Sequence, residues 1–248
     1  MPRCARERSE SGIYHIMFRG INKQNIFEEP EDYRKALELL LEAKEKSESE
    51  LYAYCFMPNH IHLLLKEGNE PIGETFKRFG TKYAYWFNTK YSRAGHLFQD
   101  RFKSEPVDDA EYFCIALRYI LQNPVKAGLT KNAENYPYSS MREMFSEGVM
   151  ISLGYIRSLK DEAEWREYLK QDNVNTCMDI SESNPLRLTE EQAVTVFRKQ
   201  TKCESSAAFQ ELPAAKRDKM ISKLKQKGLS VRQISRLTGL TYYTIQKV

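Results

Sequence analysis

Met57-Pro58-Asn59-His60-Ile61-His62-Leu63-Leu64-Leu65 reads as a turn running into a buried β-strand. The apolar run Leu51 to Met57 precedes it across Pro58-Asn59, so the two runs read as the arms of a β-hairpin. Successive side chains of a strand point to opposite faces. His60 and His62 therefore share one face, while Ile61, Leu63 and Leu65 share the other and enter a core. The chain has four histidines, and two of them fall here. An unpartnered polar group in an apolar strand would cost roughly 1–3 kcal/mol. The pair either hydrogen-bonds to its surroundings or offers two imidazoles to one metal ion.

Outward from this hairpin, Leu117-Arg118-Tyr119-Ile120-Leu121-Gln122-Asn123-Pro124 reads as the end of a helix that begins near Asp108 or Asp109. Phe113, Ala116, Leu117 and Ile120 fall at core spacing, and Pro124 is expected to stop the helix. Tyr119 and Asn123 stand four residues apart, on one flank beside the apolar stripe. The rest of the N-terminal half gives strand near 13–19, helix near 31–46, strands near 51–57 and 60–66, helix near 71–90 and strand near 102–107. This β-α-β-β-α-β order, with the tyrosine helix added, predicts an α+β fold. It is a ferredoxin-like split βαβ sandwich, a four-stranded antiparallel sheet with helices on one face.

Four motifs in this order carry a family resemblance. They are Tyr14-His15-Ile16 with Arg19-Gly20, His60-Ile61-His62, Gly95-His96-Leu97-Phe98-Gln99-Asp100-Arg101-Phe102-Lys103-Ser104, and Tyr119-Ile120-Leu121-Gln122-Asn123-Pro124-Val125-Lys126-Ala127-Gly128-Leu129. Residues 1 to about 145 resemble the single-tyrosine HUH transposases, and within them the REP-associated tyrosine transposases. The resemblance implies that Tyr119 attacks DNA to leave a 5′-phosphotyrosine linkage and a free 3′ hydroxyl. It implies His60 and His62 as metal ligands, completed by the amide four residues after the tyrosine, Asn123. Some relatives carry glutamine at that place, and here Gln122 stands one position earlier. Mg²⁺ or Mn²⁺ is the ion implied; ligand softness alone would suit zinc equally well.

The chemistry can be stated without the family. Cutting a phosphodiester needs an in-line nucleophile and stabilisation of the phosphoryl charge. A phenolate can be the nucleophile, and the covalent intermediate conserves the bond for rejoining. A divalent ion would act as Lewis acid and template. His15, in the alternating run Ile13 to Phe18, reads as structural or substrate-facing, and His96 as a packing or DNA-contacting residue.

Composition fits a DNA-acting enzyme. Net charge +4 and pI near 8.6 permit nucleic-acid binding. Lys77, Arg78 and Lys82 lie on an aromatic-rich helix, and Arg19, Arg101, Lys103, Arg118 and Lys126 form a further cationic set. Cations would hold phosphates, and one or two aromatics would stack on unpaired bases. No apolar run approaches a membrane span or a signal-peptide core, so the expected location is cytoplasmic, with no membrane partner. Five scattered cysteines suggest reduced thiols rather than a disulfide framework or zinc ribbon.

We expect a domain boundary near 145–150, giving a catalytic domain at 1–147 and a helical region at 148–248. Thr189-Glu190-Glu191-Gln192 reads as a capping-box helix start, and 228–248 as a helix-turn-helix with Ser230 and Thr241 as N-caps. Tyr242 and Gln246 are its candidate DNA contacts, with Thr241, Thr244 and Lys247 beside them. The expected partner is single-stranded DNA with hairpins, REP-like repeats, joined by duplex DNA if the C-terminal helices bind it. The protein is expected to act as a monomer or homodimer. The competing reading is a catalytically silent DNA-binding regulator that works through the helix-turn-helix. An RNA-binding sheet is disfavoured, because residues 51–65 lack the aromatic-glycine pattern for base stacking.

Overall fold

The computed structural model describes residues 6–146, 150–171, 177, 188 and 190–248, apart from the side chains of Arg232, Tyr242 and Gln246. Strands β1 (Ile13–Arg19), β2 (Glu50–Met57), β3 (His60–Lys66) and β4 (Lys103–Pro106) form one sheet in the order β2-β3-β1-β4. All three neighbouring pairs are antiparallel. Helix α1 (Pro30–Ser47) joins β1 to β2, α2 (Ile72–Lys90) joins β3 to β4, and α3 (Ala110–Lys126) follows. This is the expected split βαβ arrangement in an α+β fold.

Local chemistry sets the boundaries. Pro30 occupies the first turn of α1, and Asp32 accepts from the Glu28 and Glu29 N–H groups at 2.6 and 2.9 Å. Fully buried Asp32 also pairs with Lys90 at 2.8 Å and accepts from the Tyr91 hydroxyl, which locks α1 to the end of α2. The turn Pro58-Asn59 is held from outside the hairpin. Pro58 C=O accepts from Ile26 and Phe27, and Asn59 C=O accepts from Gly20 N–H at 2.9 Å.

The sheet has two unlike faces. Phe18, on one face, packs in an aromatic cluster with Phe76 and Phe79 of α2, while Phe56 stacks with Phe27 below α1. Gly80 permits the close approach, since a Cβ there would sit 3.0 Å from the Phe18 ring. The opposite face carries His15, Met17, Arg19, His60 and His62, and α3 packs on it, its Tyr119 ring against those of His15 and His62. The crossover helices α1 and α2 thus share one face, and the added helix α3 takes the other. Apolar Leu64 and Cys55 on the histidine face, both buried, also need cover, and α3 supplies it.

Pro124 does not stop α3, which runs through it to Lys126. Proline in the last turn removes only one N–H, and the following turn closes through Ala127 N–H to Asn123 C=O and Leu129 N–H to Pro124 C=O, both 2.9 Å. Beyond α3, residues 136–140 line the free edge of β2: Phe56 N–H bonds to Tyr138 C=O, and Tyr54 N–H to Ser140 Oγ. That covers an edge that would otherwise be open to pairing.

Helices α4 (Leu153–Leu159) and α5 (Glu162–Lys170) belong to the same packed body. Ile151, Ile156, Trp165 and Leu169 share the first core with the sheet, and Ser152 N–H bonds to Leu51 C=O of β2. Described residues on both sides of the expected division thus share the first core. A second core, from Ala193 to Ile245, is built by α6 (Glu190–Thr201), α7 (Ser206–Gln210), α8 (Ala214–Gln226), α9 (Val231–Thr238) and α10 (Tyr242–Lys247).

Within this core Ser230 caps α9 through a box with Gln233, and Thr241 accepts from Thr244 N–H at the start of α10. Gly239, at φ +69°, joins the two helices; a side chain there would be strained and would strike Gln210. Ile234 and Ile245 are fully buried between the helices, as their spacing predicts. The expected cap Thr189 lies outside the described residues. The two cores meet at Leu188, whose C=O accepts from Asn25 Nδ2 at 2.9 Å and from Gln233 Nε2 at 2.6 Å.

Candidate active site

His60 and His62 stand on one face of β3, as strand alternation requires, with ring centroids 4.9 Å apart. Each ring is oriented by a neighbour. His60 Nδ1 lies 2.6 Å from Asn59 Oδ1, an acceptor, so Nδ1 carries the proton and Nε2 keeps its lone pair. His62 Nδ1 lies 2.9 Å from Nε2 of His15, and both side chains are fully buried.

Glu105, the β4 residue paired with His15 in register, sets its carboxylate 3.6 Å from His15 Nδ1. With the His15 proton on Nδ1, facing that carboxylate, His15 Nε2 accepts from His62 Nδ1–H. The lone pair of His62 then sits on Nε2, which is buried and has no hydrogen-bond partner. Burial, then the nearby His60 and His15 rings, depress the His62 pKa well below the ordinary histidine range, so the ring is neutral at physiological pH.

Tyr119 comes from α3 and is 2% exposed. Its ring centroid lies 5.6 Å from that of His62 and 6.0 Å from that of His15, edge-on to both. The Lys126 ammonium, two turns later on α3, lies over the ring at 5.5 Å from its centroid. Asn123, one turn after Tyr119, is also buried, and its Nδ2 has no partner. Gln122 turns away, donating to the C=O groups of Leu169 and Gln171 at 2.6 and 2.8 Å. Of the two amides, Gln122 has its nitrogen engaged and Asn123 does not.

The donor set suits a divalent ion that keeps open positions. His62 Nε2 is an orphaned buried atom, and a half-turn of the Asn123 amide exchanges its unsatisfied NH₂ for an oxygen. Among the described residues no group of three or more His, Cys, Asp or Glu is arranged to hold a metal. Two imidazoles thus need an amide or substrate oxygen to complete a coordination shell.

The cationic candidates separate. Arg19 ends β1 opposite His60, and Lys103 lies on β4 opposite Met17, both on the histidine face; Lys126 is beside Tyr119. Lys77, Arg78 and Lys82 sit on α2, across the sheet from the histidines, and are paired with Glu74, Glu70 and Glu42 respectively. Arg118 is buried, with its guanidinium 4.3 Å over the Tyr168 ring and a bond to Gln171. Arg101 and His96 are exposed beside β4 and before Phe98. The side chains of Tyr242 and Gln246 lie outside the described residues. Sequence reasoning missed the His15–Glu105 connection, whose only signal was an acid and an imidazole on strands of unknown register.

The central hairpin of a four-stranded split βαβ sheet thus presents two imidazoles to a helix-borne tyrosine. Residues 9–123 match the family model described as "Transposase IS200 like". A Haemophilus influenzae protein, assigned provisionally as a REP-associated tyrosine transposase, is 29% identical over 154 residues, 56% of this chain and 85% of its own. The REP-associated tyrosine transposase of Escherichia coli is 21% identical over 119 residues, 47% of this chain and 69% of its own. A solved structure of a REP-associated tyrosine transposase bound to a REP hairpin matches with a TM-score of 0.53. It is 17% identical, and the match covers 74% of this chain and 98% of that one, a likeness of fold. No helix among the described residues is long and apolar enough to cross a membrane.

Proposed function

We propose that this protein is a transposase that cuts and rejoins single-stranded DNA at hairpin-forming repeats, with Tyr119 as the nucleophile. The observation that carries this reading is the placement of the Tyr119 ring edge-on to His62 and His15, from separate elements, on a buried polar face. The relatives named as REP-associated transposases support the substrate class.

In the proposed reaction the Tyr119 oxygen bonds to phosphorus as the bond to the 3′ oxygen breaks. The phenol loses its proton, the leaving oxygen gains one as a 3′ hydroxyl, and the 5′ phosphate stays on Tyr119. Attack by a 3′ hydroxyl on the phosphotyrosine reverses the step and frees the tyrosine. His60 Nε2, His62 Nε2 and Asn123 would hold Mg²⁺ or Mn²⁺, which when bound supplies Lewis-acid stabilisation of the phosphoryl oxygens. His15 and Glu105 act behind His62, keeping its proton on Nδ1 and its lone pair on Nε2. Arg19 and Lys103, on the same face, would hold flanking phosphates. In the helical region α10 would contact duplex DNA by its first turn.

The test is incubation of wild type and Tyr119→Phe with a labelled single-stranded hairpin library and Mg²⁺ or Mn²⁺, followed by a denaturing gel. The expected result is an ion-dependent covalent protein–DNA species that Tyr119→Phe lacks. No adduct with any hairpin, together with tight duplex binding that is lost on deleting residues 228–248, would establish the regulator reading instead.

A further inference from the structure

A cleft of about 740 Å³ opens beside Tyr119. Its walls come from the end of α3, residues 131–134, Met141, Phe145 and the end of α5. It is larger than a lone phosphate needs and within the roughly 300–1,000 Å³ of small-ligand sites.

Its chemistry is that of a nucleotide site. The lining carries Lys126, Lys131, Arg166 and Lys170 against one carboxylate, Glu134. Arg166 is already engaged, pairing with Glu162 at 2.8 Å and lying 3.9 Å over the Phe145 ring. Lys131 and Lys170 are exposed and have no ion pair among the described residues. A guanidinium fixed flat on an aromatic ring presents its outer plane to a further ring, and unpaired bases stack on such planes. Two lysines near that plane would neutralise a phosphate.

Geometry says which nucleotide. Attack by Tyr119 leaves the residue on the 3′ side of the cut attached through its 5′ phosphate, so its sugar and base must radiate from the tyrosine. The sheet side of the ring is filled by His62 and His15 at 5.6 and 6.0 Å. The cleft is a space that Tyr119 itself borders. Resting on the Tyr119 reading, we propose that it holds the nucleotide immediately 3′ of the scissile phosphate, with its base on the Arg166–Phe145 stack and its next phosphate on Lys131 and Lys170. This cleft would make the enzyme responsive to the base just after the cut.

The test begins by reading the cleaved position from the product of a hairpin library. A photoreactive 4-thiopyrimidine is then placed at the first 3′ nucleotide and crosslinked to full-length Tyr119→Phe protein, which binds without cutting. Crosslinks should map to residues 141–170. In parallel, an abasic substitution at that nucleotide should slow wild-type adduct formation about tenfold, Arg166→Ala should erase the difference between the normal and abasic substrates, and Lys131→Glu with Lys170→Glu should raise KM more than it lowers kcat. An adduct on Tyr119 with crosslinks confined to other segments, or with normal and abasic substrates equal in wild type, overturns the cleft assignment and leaves the nucleophile standing. No adduct with any hairpin overturns the nucleophile and the cleft together.

Discussion

The two faces of the sheet make a controlled comparison, because they share one backbone. On the α1/α2 face, β3 contributes Ile61, Leu63 and Leu65 to a core of aromatic rings, among them Phe18, Phe76 and Phe79. On the α3 face the alternate residues are His60 and His62, joined to His15 and bordered by Tyr119. The first face is satisfied by packing alone. The second is as deeply buried yet keeps His62 Nε2 and Asn123 Nδ2 without partners, a burden of about 1–3 kcal/mol for each such atom. One strand can thus serve stability on one side and chemistry on the other, since alternation isolates the two sets.

The comparison can be broken from either side. The largest effect is expected from His62→Ala, which should lower covalent adduct formation by at least about 10²-fold while the fold survives, measured by gel assay alongside circular dichroism. On the other face, Phe18→Ala should lower unfolding free energy by about 3–5 kcal/mol and leave the per-folded-molecule adduct rate close to wild type, measured by denaturant titration and active-site counting. If Phe18→Ala abolished chemistry in folded protein, the faces would not be independent.

His15→Phe removes the partner of His62 without touching the proposed ligands. Mn²⁺ affinity should fall by about 10–100-fold, read by paramagnetic titration of the protein alone, and His62 in nitrogen-detected NMR should lose its single Nδ1–H form. An unchanged affinity would reduce His15 to packing.

The smallest effect concerns the junction of the two cores. Glu28 is largely buried, and burial followed by the nearby Glu190 raises its pKa to about 8. A carboxyl whose pKa is raised in the folded state contributes stability that is full below its unfolded value near 4.5 and is lost as pH rises through about 8. The melting temperature should therefore decline across that window, and Glu28→Gln should flatten the decline. The same slope in the variant would assign the titration elsewhere.

Much of this was legible in sequence because it depends on local period. Alternation in β3 separated His60 and His62 from the core residues, and four-residue spacing put Asn123 beside Tyr119. Periodicity states which residues share a face but not where that face docks. Lys77, Arg78 and Lys82 share a helix with core aromatics, yet only the tertiary fold shows that α2 lies across the sheet from the histidines. His15 needed the β1–β3 register, Arg118 needed Tyr168 fifty residues away, and the reach of the first core to Leu169 needed the backbone bond from Ser152 to Leu51. Pro124 misled because a proline's penalty falls sharply in a final turn, where the chain is already leaving the helical ladder.

The central claim is that one tyrosine of fifteen, Tyr119, carries the DNA. Its most direct test is mass spectrometry of the trapped adduct after nuclease trimming and proteolysis. The account predicts a nucleotide 5′-phosphate on the peptide bearing residue 119 and on no other. A nucleotide on another residue, or cleaved DNA with no covalently modified peptide, would contradict it.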